Sequence, residues 1–149
     1  MQSDGEVTGR CYCGSVAFGI GAGTVPVLAG YCHCRDCRQA HAAPLYQYAY
    51  IARDAFSIDR GEHLLKWYTR SETESPRFRR YFCSQCGSKV YNTLLYTRDG
   101  QELRGVFPTL FDDQSIATNE TWSPRKHVWC AQSLMDLARF QDDLPRDSN

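Results

Sequence analysis

The sequence predicts a mainly β fold with little helix, and two observations carry that prediction. Short runs rich in β-branched and aromatic residues recur between turns, and within residues 45–51 three tyrosines occupy every second position, so they share one face of an extended segment. The breaks between runs contain Gly, Pro, Asp or Ser, as in residues 21–23 and 98–100. This pattern is typical of short strands joined by tight turns.

Taken in chain order, the runs predict strands at residues 15–18, 25–31, 45–51, 63–69, 78–82, 89–96, 103–107 and 126–131. Residues 35–42 lack alternation and predict a helical turn. Residues 133–140 place Leu134, Leu137 and Ala138 at helical spacing behind Ser133 as an N-cap, which predicts a short helix. The charged stretch 70–76 predicts a solvated loop. No stretch is long enough for a linker, so we expect one domain over residues 1–149.

Composition and charge narrow the classes of function. Lys and Arg number 17 and Asp and Glu number 17, so the formal net charge of +0 gives no general attraction for nucleic acid or an anionic membrane. The polar N-terminus lacks the apolar stretch of a signal peptide, and no run approaches the roughly 18 apolar residues of a membrane span. We therefore expect a soluble, cytoplasmic protein that acts on small molecules. In that reducing compartment, closely spaced cysteines favour metal over disulfides.

The 8 cysteines form the most informative pattern in the chain. Cys32, Cys34 and Cys37 lie close together, and two further pairs, Cys11/Cys13 and Cys83/Cys86, are each followed by Gly-Ser. A Cys-x-Cys disulfide is strained, and a triplet leaves an odd thiol, so disulfides explain the spacing poorly. Glycine after the second cysteine of a pair permits a tight turn whose amide groups point at the thiolates.

A closed structural zinc site takes four ligands, whereas a catalytic site usually has three and an open position. The spacing therefore predicts two zinc ions per chain. The structural zinc is assigned to Cys11, Cys13, Cys83 and Cys86, and the open, catalytic zinc to Cys32, Cys34 and Cys37. Unmetallated thiols at the triplet or a different partition of the ligands are the alternatives. Cys130 is interpreted as a buried apolar residue and is not counted as a ligand.

Several other side chains are candidates for supporting roles. Arg35 and Arg38 flank Cys37 and are predicted to bind substrate carboxylates or to offset the negative charge of the site, the alternative being solvated surface arginines. His33, between two ligands in an extended stretch, is predicted to point away from the metal and to pack. Four residues could line a pocket or belong to the core, and they are His41, Tyr46, Tyr48 and Trp129. His63 and His127 are expected to be structural.

These motifs resemble the glutathione-dependent formaldehyde-activating enzyme family, whose relatives include centromere protein V. The resemblance spans roughly residues 8–131, and it rests on the cysteine motifs at residues 9–16, 32–38 and 82–88, with a weaker echo at 126–129. Where the family usually has Gly-Thr-Leu-Asp-Asp, this chain has residues 108–113, Pro-Thr-Leu-Phe-Asp-Asp. The resemblance implies a zinc-binding β-tent fold and the same four-plus-three division of cysteines. It also implies a carbon-sulfur lyase that condenses glutathione with formaldehyde to S-(hydroxymethyl)glutathione at the three-thiolate zinc.

The chemistry of a three-thiolate zinc agrees with that activity. Three thiolates and one Zn²⁺ carry a net charge near −1, so the ion is a weaker Lewis acid than one held by imidazoles, and hydrolysis is not its obvious task. An open soft site can instead accept a thiolate or a small carbonyl oxygen and bring the two reactants together.

Two alternatives stay open. One is an enzyme acting on another small thiol adduct. The other is a zinc-stapled module that binds protein or nucleic acid, supported by the interleaved basic and aromatic residues 77–82. The zero net charge and the nearby Glu72 and Glu74 favour a solvated strand there over a nucleic-acid surface.

Overall fold

A computed structural model describes residues 5–70, 78–95, 97 and 99–149. Among them the strands are β1 Val7–Arg10, β2 Ala17–Ile20, β3 Leu28–Cys32, β4 Tyr46–Ala52, β5 Phe56–Arg60, β6 Leu65–Tyr68, β7 Phe78–Cys83, β8 Lys89–Leu94, β9 Leu103–Val106 and β10 His127–Val128. The α-helices in the same residues are α1 Arg35–His41 and α2 Gln114–Ala117. The predicted mainly β fold with little helix is confirmed.

The strands form two sheets that enclose the main core. One has three strands in the order β1-β2-β5, and the other has seven in the order β10-β3-β4-β9-β8-β7-β6. Every pairing is antiparallel except the parallel contact of β10 with β3. Phe18 and Ile20 of the small sheet and Ile51 and Val106 of the large one are fully buried in one apolar cluster, so the core lies between the sheets.

The opposite face of the large sheet carries helix α1. Tyr46, Tyr48 and Tyr50 project from this face of β4, with ring centroids 5.9 and 5.5 Å apart between successive tyrosines, which confirms that they share a face. A second buried cluster of Cys32, Cys37 and Tyr48 forms where α1 meets this face. The cysteine triplet therefore lies outside the main core, between a helix and a sheet.

Strands β1 and β5 and helix α2 were not predicted. β1 alternates buried and exposed positions but over only four residues, Val-Thr-Gly-Arg, and β5 has no fully buried position, so both sequences carry little periodic signal. The prediction for residues 126–131 is too long. β10 ends at Val128 because Trp129 has a φ of 58°, a left-handed conformation that stops an extended strand.

The predicted helix at 133–140 is wrong. The segment contains only a 3₁₀ turn at Leu137–Arg139, and the side chain of Leu134 is exposed. Ser133 does not cap a helix, since its hydroxyl bonds His33 and the backbone of Met135 instead. Most of the loop predicted at 70–76 lies outside the described residues. Within the described residues, no helix has the length and apolar character needed to cross a membrane.

Candidate metal centres

The four thiols of Cys11, Cys13, Cys83 and Cys86 meet at one point, with all their sulfur atoms within 4.8 Å of one another. The Sγ atom of Cys13 lies 3.6 Å from that of Cys11 and 3.9 Å from that of Cys83. A tetrahedral zinc with Zn–S bonds of about 2.3 Å separates its sulfurs by about 3.8 Å, so this cluster fits the ion.

Two similar turns position the four thiols. Gly14 donates its amide hydrogen to the carbonyl of Cys11 at 2.9 Å, and Gly87 donates to the carbonyl of Cys83 at 2.8 Å. The φ angles are 78° at Gly14 and 75° at Gly87, which a residue with a Cβ adopts only with strain. The glycine of each Cys-x-Cys-Gly or Cys-x-x-Cys-Gly motif is therefore required by the turn, as the sequence predicted.

Polar groups around the turns stabilise thiolates. Hydrogen bonds from the side chain and backbone of Ser15 lower the pKa of Cys13. Burial opposes ionisation of Cys86, yet hydrogen bonds from Ser88 and from the backbone of Cys13 lower its pKa to about 6. Ionised sulfur is the form that binds a metal, so these contacts favour the liganding state of Cys13 and Cys86, whereas burial raises the pKa of Cys83 to about 11.

This four-thiol cluster joins the two sheets. Cys11 follows β1 of the small sheet, whereas Cys83 ends β7 of the large one, and both are buried in the main core. An ion held here would cross-link segments that are 70 residues apart in sequence and belong to different sheets.

The thiols of Cys32, Cys34 and Cys37 form a second cluster, again with all sulfurs within 4.8 Å. Cys32 ends β3, Cys34 is the N-cap of α1, and Cys37 lies in its first turn. The Sγ atom of Cys34 accepts a hydrogen bond from the Cys37 amide at 3.2 Å. Three sulfurs on one side of an ion leave it a further position, which is the arrangement of an open site.

Two residues outside the motif contact Cys37. Arg80 of β7, only 2% exposed, directs its Nη2 atom to the Cys37 sulfur at 3.8 Å, and the Tyr46 hydroxyl lies 3.7 Å from the same sulfur. Hydrogen bonds from the thiols of Cys32 and Cys34, helped by the charge of Arg80 and opposed by burial, lower the pKa of Cys37 to about 2. A buried cation therefore favours negative charge on this sulfur.

The interpretation of residues 77–82 as a solvated strand is wrong at Arg80, which is buried. Residue 77 lies outside the described residues. Its side chain faces the triplet, and the guanidinium lies 4.7 Å from the centre of the Phe78 ring. The neighbouring Arg79 is half-buried, 4.3 Å from the Trp67 ring. Sequence reasoning missed Arg80 because a basic residue in a strand is usually exposed. The available signal was its position in the strand that ends at a ligand candidate.

The two arginines predicted from the motif occupy different environments. The guanidinium of Arg38 donates hydrogen bonds to the carbonyls of His33 and Gln132, each at 3.0 Å, and ties the triplet loop to the C-terminal segment. Arg35 is exposed, and its backbone amide donates to the Gln132 side chain at 2.8 Å. Of these two side chains, that of Arg35 is thus the more accessible to an anionic substrate.

His33 points away from the triplet, as predicted. Its Nδ1 lies 3.0 Å from the Ser133 hydroxyl, and its Nε2 lies 2.9 Å from Nδ1 of His127, whose Nε2 is 2.9 Å from the Asp142 carboxylate. Both nitrogens of His33 are therefore engaged by protein groups. Burial lowers its pKa, and the neighbouring His127 adds to the effect. His127 is structural as expected, but Asp142, at the end of this chain of hydrogen bonds, was not predicted.

The remaining candidates for lining a pocket lie in different environments. His41 and Tyr46 stack at 4.3 Å and line a cavity of about 370 Å³, and Tyr48 is buried in the cluster with Cys32 and Cys37. Trp129 is 44% exposed and does not line that cavity. His63 is exposed, and Cys130, only half-buried, belongs to neither thiol cluster in the described residues.

A second cleft of about 220 Å³ lies against the outer side of α1, between this helix and strands β6 and β7. Asp36, Gln39, Ala40, Tyr68, Arg70 and Arg80 line it. Arg70 is paired with the Asp36 carboxylate at 3.0 Å and with the Gln39 side chain at 3.1 Å. The cleft thus holds two arginines, of which Arg80 contacts Cys37 and Arg70 is paired with Asp36.

We predict two metal ions of unequal affinity in zinc-replete protein. Metal analysis without chelator should approach two zinc ions per chain, and mild chelation should remove one first, because the three-thiol site has fewer ligands and an open position. A stable maximum of one zinc would contradict the open site.

Comparisons with known proteins found a matching family model and a similar fold. The sequence model described as "Glutathione-dependent formaldehyde-activating enzyme" matches residues 6–132. The crystal structure of a Rhodobacter sphaeroides protein, solved by a structural genomics programme, superposes with a TM-score of 0.56 at 20% sequence identity. The match covers 75% of this chain and 95% of that one, and at this identity it speaks for the fold alone. No curated protein matches the chain.

Proposed function

The chain belongs to the glutathione-dependent formaldehyde-activating enzyme family, and on that basis we propose that it is a zinc-dependent carbon-sulfur lyase that condenses glutathione with formaldehyde. The observation that carries the proposal is the triplet of Cys32, Cys34 and Cys37, whose sulfurs converge beside a buried cation and two clefts. A zinc ion held by these thiols would supply an open position for a thiol or a small carbonyl.

Arg80 is proposed to balance the charge of this site. Three thiolates with one divalent ion carry a net negative charge, which would repel an incoming thiolate. The guanidinium of Arg80, buried and 3.8 Å from the Cys37 sulfur, supplies the opposite charge where water cannot screen it. A fourth thiolate, that of the substrate, is therefore better tolerated at this site than at an uncompensated one.

Glutathione also has carboxylates, and the positive cleft beside α1 offers them partners. Arg70 and Arg80 line that cleft, and the exposed Arg35 lies one residue before Asp36 on the same helix. We propose Arg35 as a contact for a substrate carboxylate. Arg38 is proposed to contribute its charge, since a direct contact would require its bonds to the carbonyls of His33 and Gln132 to break.

The proposed step needs no oxidant or reductant. The thiol sulfur adds to the carbonyl carbon, so that an S–C bond forms and the C=O π bond breaks, and the oxygen takes up the proton that the thiol lost. The protein's contribution is to hold the two reactants together in a defined orientation. The new group in the product is a hydroxymethyl thioether, which carries no charge.

Three further proposals concern the structural zinc, the domain and the cellular compartment. We propose that Cys11, Cys13, Cys83 and Cys86 hold a structural zinc, that residues 1–149 form one domain, and that the protein works in the cytoplasm. The burial of Arg80 removes one cation from the surface that a nucleic-acid module would use, so no observation favours that alternative.

The proposal is tested by the rate at which glutathione and formaldehyde approach equilibrium. The condensation also runs without enzyme, so exchange spectroscopy must compare zinc-loaded protein with a protein-free control. We expect a faster exchange that depends on both reactants. If formaldehyde exchange is not accelerated but another small aldehyde is, the chain acts on a different thiol adduct.

A further inference from the structure

Beneath helix α1, one row of residues crosses four neighbouring strands of the large sheet. Tyr50 on β4 pairs with Gly105 on β9, Gly105 pairs with Asn92 on β8, and Asn92 pairs with Arg80 on β7. Directly opposed residues of antiparallel strands project to the same face. Asn92 therefore lies on the face that carries the cysteine triplet.

Arg80, directly beside Asn92 in the row, and Tyr50, two positions away on the other side, both reach the cluster around the triplet. Arg80 donates to the Cys37 sulfur at 3.8 Å, and Tyr50 packs against the cluster that contains Cys32 and Cys37. Gly105 leaves the intervening space to the Tyr50 ring, since a Cβ there would lie 2.9 Å from the ring and 3.4 Å from the Cβ of Asn92. Asn92 thus lies in the row between two residues, Tyr50 and Arg80, that reach the cluster around the triplet.

This carboxamide lacks partners. Asn92 is 1% exposed, and neither its Nδ2 nor its Oδ1 makes a hydrogen bond to any residue that the structure describes. Leaving a buried polar group unsatisfied typically costs about 1–3 kcal/mol, so such a group in a native protein calls for a functional or structural reason. An amide in this state offers its NH₂ group as a donor and its carbonyl oxygen as an acceptor to a molecule that enters the site.

We propose that the Asn92 carboxamide binds the oxygen of the one-carbon group at the triplet site, and so selects a hydroxymethyl thioether over a plain thioether. This inference rests on the proposed function. The carbonyl oxygen of the aldehyde accepts from Nδ2, and the hydroxyl of the adduct can in addition donate to Oδ1, so the contact gains a hydrogen bond as the adduct forms. The burial of Asn92 restricts the contact to a small group.

The test compares binding of S-(hydroxymethyl)glutathione and S-methylglutathione to zinc-loaded protein, by NMR titration of the ¹⁵N-labelled chain. The parent should bind the hydroxymethyl adduct about tenfold more tightly, and Asn92→Leu should lose this preference without changing the affinity for S-methylglutathione. The resonances of the Asn92 side-chain NH₂ group should shift with the hydroxymethyl adduct and remain in place with S-methylglutathione.

Two further measurements exclude a merely structural role. Asn92→Leu should keep the zinc content and melt no lower than the parent, because it replaces an unsatisfied polar group by an apolar one of similar branched shape. Thr93→Val is the matched control. Thr93 is 2% exposed, and its hydroxyl has no hydrogen-bond partner among the residues that the structure describes. It projects to the other face of β8, so this variant should retain the preference.

The outcomes separate the two proposals. If Asn92→Leu keeps the preference while the parent accelerates the condensation, Asn92 serves only structure or an ordered water, and this inference fails alone. If the preference depends on Asn92 but the parent gives no acceleration, the proposed function fails and the binding contact stands. If the parent binds neither thioether, both fail.

Discussion

Cys83→Ser should lower the free energy of unfolding by about 4 kcal/mol or more, the largest effect expected of any single change here. Cys83 is fully buried, and its sulfur belongs to the four-thiol cluster that joins the small sheet to the large one. Serine is a far poorer zinc ligand, so the variant loses a cross-link between segments distant in sequence. The melting temperature should fall by about 8–16 °C.

Cys130→Ser is the matched control for this prediction. Cys130 is half-buried, and its thiol is outside both clusters. The same chemical change there should alter the free energy of unfolding by no more than about 0.5 kcal/mol. Calorimetry and metal analysis on both variants measure the loss of stability and the loss of zinc. Equal melting temperatures for Cys83→Ser and the parent would show that the four-thiol cluster is not a structural metal site.

Cys37→Ser should abolish the glutathione-dependent acceleration while leaving the chain folded. The three thiols of this cluster lie within one β3–α1 loop, so an ion there joins no distant segments. The change removes one of three ligands and should release roughly one zinc per chain. Exchange spectroscopy should then give the rate of the protein-free control.

Stability of this variant should nevertheless decrease slightly. Arg80 and Tyr46 contact the Cys37 sulfur from strands β7 and β4, and a neutral serine no longer offers the buried guanidinium a negative charge. We expect a loss of about 2 kcal/mol or less, well below that of Cys83→Ser. Full activity in Cys37→Ser would exclude the triplet as the catalytic site, whereas Cys130→Ser should be as active as the parent.

Local sequence alone was enough to predict the two thiol clusters and the fold class. The thiols of each cluster come from short motifs, in which spacing and a following glycine dictate the turn, and the structure brings the sulfurs together in the two predicted groups. Alternation in residues 45–51 likewise placed three tyrosines on one face. The prediction of a helix at residues 133–140 failed because the Ser133 hydroxyl bonds His33, a partner 100 residues away, and is therefore not available to cap a helix.

The surroundings of the triplet were decided by tertiary structure. Arg80 contacts Cys37 and Asn92 lies on the same face because the register of β7, β8 and β9 aligns them with Gly105 and Tyr50. The hydrogen bonds from His33 through His127 end at Asp142. These contacts join residues far apart in the chain, and a shift of one residue in register would turn Asn92 to the opposite face. The chain's motifs therefore determine which atoms can hold a metal, whereas strand pairing determines the charge and the hydrogen bonds that the metal's ligands meet.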